Sequence, residues 1–189
     1  MITHHIERLT EENQRLLEVA SAAGVEFPAS LVAAGLSIGD LDAEQALEAL
    51  ARKDHLLVPN GTSEWPDGTF SSCYAFRHAL QQNALYERLS PGRRVHVHRR
   101  MAERLLRAYA DREREVAVSL ASHFEQGHNF PAALRFFGIA AENSMKRLGH
   151  REAANYATRA MRLLDKMPGE DGRDARIGLL RQRSWAFLR

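Results

Sequence analysis

Nine histidines, one cysteine and a set of arginines are the residues of this 189-residue chain that invite chemistry. A metal site needs ligands at fixed spacing, such as two histidines one helical turn apart or clustered cysteines. His96 and His98 are two residues apart and point to different faces of a helix. His123 and His128 are separated by a helix stop at Gly127, and His4-His5 lies at the terminus. No H-E-x-x-H or Cys/His cluster occurs, so no metal is expected. Cys73 sits in an alternating strand pattern and reads as a packed side chain rather than a nucleophile. The phosphate-cradling G-x-x-x-x-G-K-[ST], a strand-borne G-x-G-x-x-G and the G-x-S-x-G elbow are all missing. The sequence predicts no catalytic residues, no enzyme activity and no cofactor.

The arginines remain. Arg93, Arg100, Arg104 and Arg107 recur at intervals of seven, four and three, so they share one helix face, flanked by Arg94 and Arg99. Val95, Met101, Leu105, Leu106 and Tyr109 form the apolar side. Such a face can meet phosphates, pair with the acidic first part of the chain, or dock a neighbouring domain. His78 follows Phe76-Arg77 at the start of a helix, where a polar group can fix helix to hairpin by hydrogen bonding. Arg93, Arg100, Arg104, Arg107 and His78 are the candidate interaction residues.

Charge is unevenly placed along the chain. Residues 1–60 hold 4 Lys/Arg against 10 Asp/Glu, a net of −6; residues 61–115 stand at +3 and residues 116–189 at +5. The net of +2 makes no case for nucleic acid by itself, and an acidic front with a basic rear points to contact between parts or with a partner. A lone cysteine excludes an intrachain disulfide. No apolar run approaches the ~20 residues of a membrane span, and Met1–Glu12 lacks the apolar stretch of a signal peptide. The expectation is a cytoplasmic chain with no membrane partner.

These residues must be positioned by the elements around them. Thr10 caps a helix that carries Glu11 and Glu12 in its first turn and ends at Gly24. A second short helix starts at Pro28 and ends near Gly35; a third starts at Asp40 or Asp42. Leu56-Leu57-Val58 and Ser71 to Phe76 read as paired strands, with turn signals at Pro59-Asn60-Gly61 and Pro66-Asp67-Gly68. Three helices followed by a two-stranded hairpin is the order of a winged-helix domain. From His78 onward the pattern is helical: about 78–89, 91–110, 115–126, 129–148 and 150–166, with a charged break at Asp111–Arg114. A last helix from about Arg173 still runs at Arg189, with Trp185, Phe187 and Leu188 in its final turn, which predicts a longer parent protein.

Small and aromatic residues recur on a grid in the second half: Leu120-Ala121-x-x-Phe124, then Ala133-x-x-x-Phe137-x-x-Ala140, then Ala153-x-x-x-Ala157-x-x-Ala160, with Pro168 beyond. Small residues let paired helices approach while an aromatic fills the gap, which is the logic of tetratricopeptide repeats. Stacked hairpins of this kind bind peptide or protein on a concave face. An ordinary helical bundle is the alternative.

The run from Ile6 to Phe27 resembles the start of the winged-helix segment behind the nucleotide-binding core of bacterial STAND-type regulatory ATPases. Trp65-Pro66-Asp67-Gly68-Thr69, Tyr74-x-Phe76-Arg77-His78-Ala79-Leu80, Leu85-Tyr86-Glu87-Arg88-Leu89, Arg93-Arg94-x-x-x-His98 and His123-Phe124-Glu125-x-Gly127 are similar as well. The resemblance implies a signal-transduction regulator in which the winged helix packs on an ATPase core. Helical repeats then sense an inducer or partner, and the output is a transcription-factor or cyclase effector domain. The phosphate loop and Walker B region of that family are missing here, so the resemblance assigns no ATP hydrolysis to this chain. In some related ATPases a winged-helix histidine touches nucleotide; nothing aligns His78 with that role.

The expected architecture is mainly α: a winged-helix domain over residues 1–90, then a tetratricopeptide-like helical region over 91–189. The expected function is non-catalytic protein interaction with an ATPase core or effector domain. The alternative is a stand-alone nucleic-acid-binding winged helix using the basic helix 91–110. It is disfavoured because Asp42–Lys53, at the recognition position, carries three acids ahead of its two bases.

Overall fold

A computed structural model describes residues 8–53 and 56–167. The helix expected from Arg173, with Trp185, Phe187 and Leu188, lies outside the described residues, as do Ile6, Glu7, His4, His5 and His55. The described chain is mainly helical with one small antiparallel sheet. Its contacts divide it into two compact units, the first ending at Tyr109 and the second beginning at Ala110.

In the first unit, α1 (Glu11–Ala23) starts as expected, with Thr10 accepting the Asn13 amide at 3.3 Å and two acids in the first turn. After α1 come β1 (Glu26–Pro28), α2 (Ala29–Leu36), α3 (Asp40–Lys53), β2 (Leu57–Glu64), β3 (Phe70–Phe76), α4 (Ala79–Arg88) and α5 (Pro91–Ala108). The sheet order is β1-β3-β2, antiparallel throughout. A two-stranded sheet was the expectation, and β1 is the correction. It pairs Glu26, Phe27 and Pro28 with Ala75, Tyr74 and Cys73, and only Phe27 is fully buried. A three-residue strand leaves no period to detect, and its hydrogen bonds come from β3. Phe27 packs with Tyr74 and Phe76 of β3 at ring separations of 6.4 and 5.5 Å, an aromatic cluster that ties β1 to the sheet.

The two turn signals separate in the structure. Pro59-Asn60-Gly61 is a bulge inside β2, where the register shifts between Pro59 and Thr62 and Gly61 takes φ 81°. The hairpin turn is Trp65–Thr69: the Trp65 amide donates to Thr69 O, the Gly68 amide donates to Trp65 O, and Gly68 has φ 84°.

α2 ends near Gly35, as its residue type suggested, with the glycine itself buried in the last turn. The helix ends one residue later, with Ser37 left-handed at φ 59°. A Cβ on Gly35 would stand 2.6 Å from Val19 Cγ1 of α1 and 2.8 Å from Met101 Cε of α5. The glycine therefore lets three helices meet. Overpacking costs about 1–3 kcal/mol and alanine's helix propensity returns up to about 1 kcal/mol. Gly35→Ala is expected to destabilise the first unit by about 1 kcal/mol and Gly35→Val by more, read from urea midpoints.

That contact also fixes where α5 belongs. The sequence boundary at 90/91 puts this helix with the second region. In the structure its Val97, Met101, Ala102 and Leu105 are buried and Met101 and Val97 close on Gly35, so α5 completes the first unit. The amphipathic period shows that a helix has an inner face and not which unit receives it.

The second unit opens with a 3-10 segment at Ala110–Val116, where a charged break was expected, followed by α6 (Ala117–Gln126), α7 (Phe130–Lys146) and α8 (His150–Leu164). The small-and-aromatic grid is its core: Leu120, Ala121, Phe124, Ala133, Phe137, Ala140, Ala153, Ala157 and Ala160 are all buried. Phe124 stacks on Phe136 at 5.7 Å, and Phe137 stacks on Tyr156 at 6.3 Å. The two interhelical turns are built alike. His128 and Leu148 are left-handed at φ 55° and 62°; the next amide of each turn, Asn129 or Gly149, donates to the carbonyl five residues back, at Phe124 and Ser144. Among the described residues, no helix is long and apolar enough to cross a membrane.

Candidate interaction surface

The basic face of α5 follows from its sequence period, and the structure shows what occupies it. Arg93 Nη1 donates to Glu18 Oε2 at 3.0 Å, and Arg88 Nε, from the end of α4, donates to Glu18 Oε1 at 3.3 Å. Glu18 is only 7% exposed on the inner side of α1, so one buried carboxylate receives two guanidinium groups. Arg100 Nη1 donates to the Gly35 carbonyl at 3.3 Å, meeting the negative end of α2.

Arg104 is held most tightly. Its side chain is 16% exposed; it donates to Asp67 Oδ2 at 2.8 Å and Thr69 Oγ1 at 2.6 Å and lies 4.6 Å over the Trp65 ring. Burial alone would raise the Asp67 carboxyl, but hydrogen bonds from Thr69 and the Arg104 guanidinium outweigh it and hold it below its ordinary value. The hairpin turn is thereby clamped to α5. Arg107 is exposed, in a shallow cavity of about 360 Å³ with Asp40, Arg100, Glu103 and Arg104 on its wall.

His78 is exposed at the start of α4, and its side chain makes no cap hydrogen bond. Its backbone carbonyl caps the first turn of α4, accepting the Gln81 amide at 2.9 Å. The expected side-chain link between hairpin and helix is absent there. Another histidine, not singled out as an interaction residue, links two helices through its side chain. His98 is buried on α5, with Nε2 3.0 Å from the Tyr86 hydroxyl of α4, and Arg94 lies 4.5 Å over the Tyr86 ring. Burial, with Arg94 beside it, pushes the His98 imidazole down to about 4.

The face of α3 is of opposite character. Asp40 and Asp42 sit exposed in its first turn, Glu48 pairs with Arg52, and Glu44 accepts the Ser72 hydroxyl of β3. Cys73 is partly buried, and burial followed by the Glu26 charge pushes its thiol up, away from the reactive thiolate. Among the described residues, no three His, Cys, Asp or Glu side chains gather as a metal site.

Of the five predicted residues, Arg93, Arg100 and Arg104 bind other parts of the same unit, and Arg107 and His78 face outward at separate places. Glu18, Tyr86 and His98 were missed as partners. The signal for them was present in the resemblance runs, since Glu18, Tyr86, Arg88, Arg93, Arg94 and His98 all fall within those segments. Comparisons with protein-family models, with curated proteins and with solved structures give no match for this chain.

Proposed function

We propose that this chain is a non-catalytic protein-interaction module of a STAND-type signal-transducing regulator, a winged helix followed by tetratricopeptide-like helices. The observation that carries the reading is the use of the basic face. Arg93, Arg100 and Arg104 are spent on Glu18, the Gly35 carbonyl, Asp67 and Thr69 of the same unit. A nucleic-acid reader keeps such groups free for phosphates. The helix at the recognition position instead offers Asp40, Asp42 and Glu48, and the hairpin turn is tied back to α5. The order helix, strand, two helices and hairpin supports the winged-helix assignment. The buried alanine grid and the paired turns of α6–α8 support the repeat assignment.

The proposed partner is an ATPase core or effector domain of the same regulator. The test pairs two measurements. Fluorescence anisotropy with a labelled mixed-sequence duplex at low salt should show no binding tighter than the roughly micromolar non-specific level. Co-purification with a nucleotide-binding core of a STAND-type regulator should show association. Nanomolar duplex binding that weakens on Arg107→Glu would instead establish the nucleic-acid reading.

A further inference from the structure

The start of α1, the end of α2 and the first turns of α3 diverge around an open groove of about 800 Å³. Its floor is apolar: Leu16 is buried, Leu36 and Ala46 are partly covered, and Ile38 is 43% exposed. Leu41, beside Asp42 on α3, is 67% exposed. Ile38 is held in place by the turn that ends α2. Ser37 is left-handed, its amide donates to Ala34 O at 3.2 Å, and the Ile38 amide donates to Ala33 O at 3.1 Å. In such turns the residue after the left-handed position ordinarily packs back on its own helix. Here Ile38 stays 43% exposed on a backbone fixed by those two hydrogen bonds.

The rim is acidic. Glu11, Glu12 and Asp42 line it against a single base, Arg15, which stands 3.9 Å from Glu11. Each acid also offsets the positive end of its own helix. The fold adds their convergence on one apolar floor. A fixed apolar strip with negative edges is complementary to a helix that carries aliphatic residues on one face and Lys or Arg beside it. It repels nucleic acid and anionic lipid surfaces.

We infer that this groove docks a basic amphipathic helix of a partner protein. The inference rests on the reading of the first unit as a protein-contact module and names the chemistry of one contact.

The test is fluorescence anisotropy of the full chain with a labelled peptide of about four helical turns, bearing leucines at i, i+3, i+4 and i+7 and lysines elsewhere. Its counterpart has the same leucines and glutamates in place of the lysines. The lysine peptide is expected to bind in the micromolar range and to weaken several-fold between about 50 and about 300 mM salt. The glutamate peptide should bind at least about tenfold more weakly. Ile38→Ser, Glu12→Lys and Asp42→Lys should each lower affinity for the lysine peptide about five- to tenfold. Arg162→Glu on α8 should leave it unchanged. All three groove positions are exposed enough for the variants to fold, which their circular dichroism checks.

No lysine-peptide binding up to about 1 mM, equal binding of both peptides, or affinity indifferent to all three groove variants overturns the inference. Concentration-dependent dimerisation lost in Ile38→Ser would assign the groove to a second copy of this chain, and also overturns it. Failure of the peptide test with co-purification intact removes the groove alone. Tight duplex binding removes the protein-contact reading itself.

Discussion

Glu18→Ala lowers the stability of the first unit by about 2–3 kcal/mol, the largest expected loss from a single polar side chain in it. Removing one member of a buried ion pair costs about 3–5 kcal/mol because the other charge is stranded. Here the stranded groups are the guanidiniums of Arg88 and Arg93, 33% and 46% exposed, so water recovers part of that cost. Arg88→Met or Arg93→Met alone should cost under about 1 kcal/mol, because Glu18 keeps the other partner and Arg88 is also shared with Gln14 at 2.8 Å. Both together should cost more than the sum of the two, since Glu18 is then left buried without either guanidinium. The measurement is urea unfolding followed by Trp65 fluorescence in a Trp185→Phe background, which leaves one tryptophan reporting on the first unit. A Glu18→Ala variant within about 0.5 kcal/mol of the parent would show that the double clamp contributes nothing to fastening α1 to α4 and α5.

Glu18 also illustrates what could be read from the residue order. The helix period over Leu16, Leu17, Val19 and Ala20 placed α1 and its cap correctly, because caps and periods are local signals. Where a buried carboxylate finds its counter-charge is not local, and the partners here lie seventy and seventy-five residues further on. The same limit explains β1, which pairs with β3, and Gly35, which marks the end of α2 in the residue order but whose close contact with α1 and α5 only the fold shows. The uneven charge left phosphates, the acidic residues 1–60 and a neighbouring domain all open as partners of the basic face; of its arginines, Arg93 pairs with an acid of that front, Glu18, and Arg104 with Asp67 beyond it. The shared face of Arg93, Arg100 and Arg104 was legible, but periodicity cannot distinguish a face turned to solvent from one turned to the domain. In the second unit the whole grid of small and aromatic residues is buried, because α6, α7 and α8 pack mainly on their sequence neighbours, while Phe136, Ala141, Leu163 and Leu164 are core positions that the grid leaves out.

Acid should weaken the same α4–α5 junction at a second place. His98 is 5% exposed, its Nε2 lies 3.0 Å from the Tyr86 hydroxyl, and Arg94, which also pairs with Glu87, stands over the Tyr86 ring. A neutral imidazole with Nε2 unprotonated accepts the Tyr86 O–H, whereas an imidazolium would be a second cation, desolvated beside Arg94. The folded imidazole titrates at about 4 against 6.5 in the unfolded chain. Between those two values the unfolded state takes up the proton and the folded state does not. Stability is therefore intact above about pH 6.5, falls as the pH is lowered, and has lost about 3 kcal/mol by pH 4. Asp67, held below its ordinary 3.8, gives up its own contribution only at lower pH, outside this window. His98→Gln separates the two effects, since glutamine can still hydrogen-bond Tyr86 and does not titrate. The variant should be less stable than the parent at pH 7.5, and the gap should close or reverse by pH 4.5 in urea unfolding. Equal losses in parent and variant across that range would mean that other groups drive the acid transition and that His98 is not the buried base of this junction.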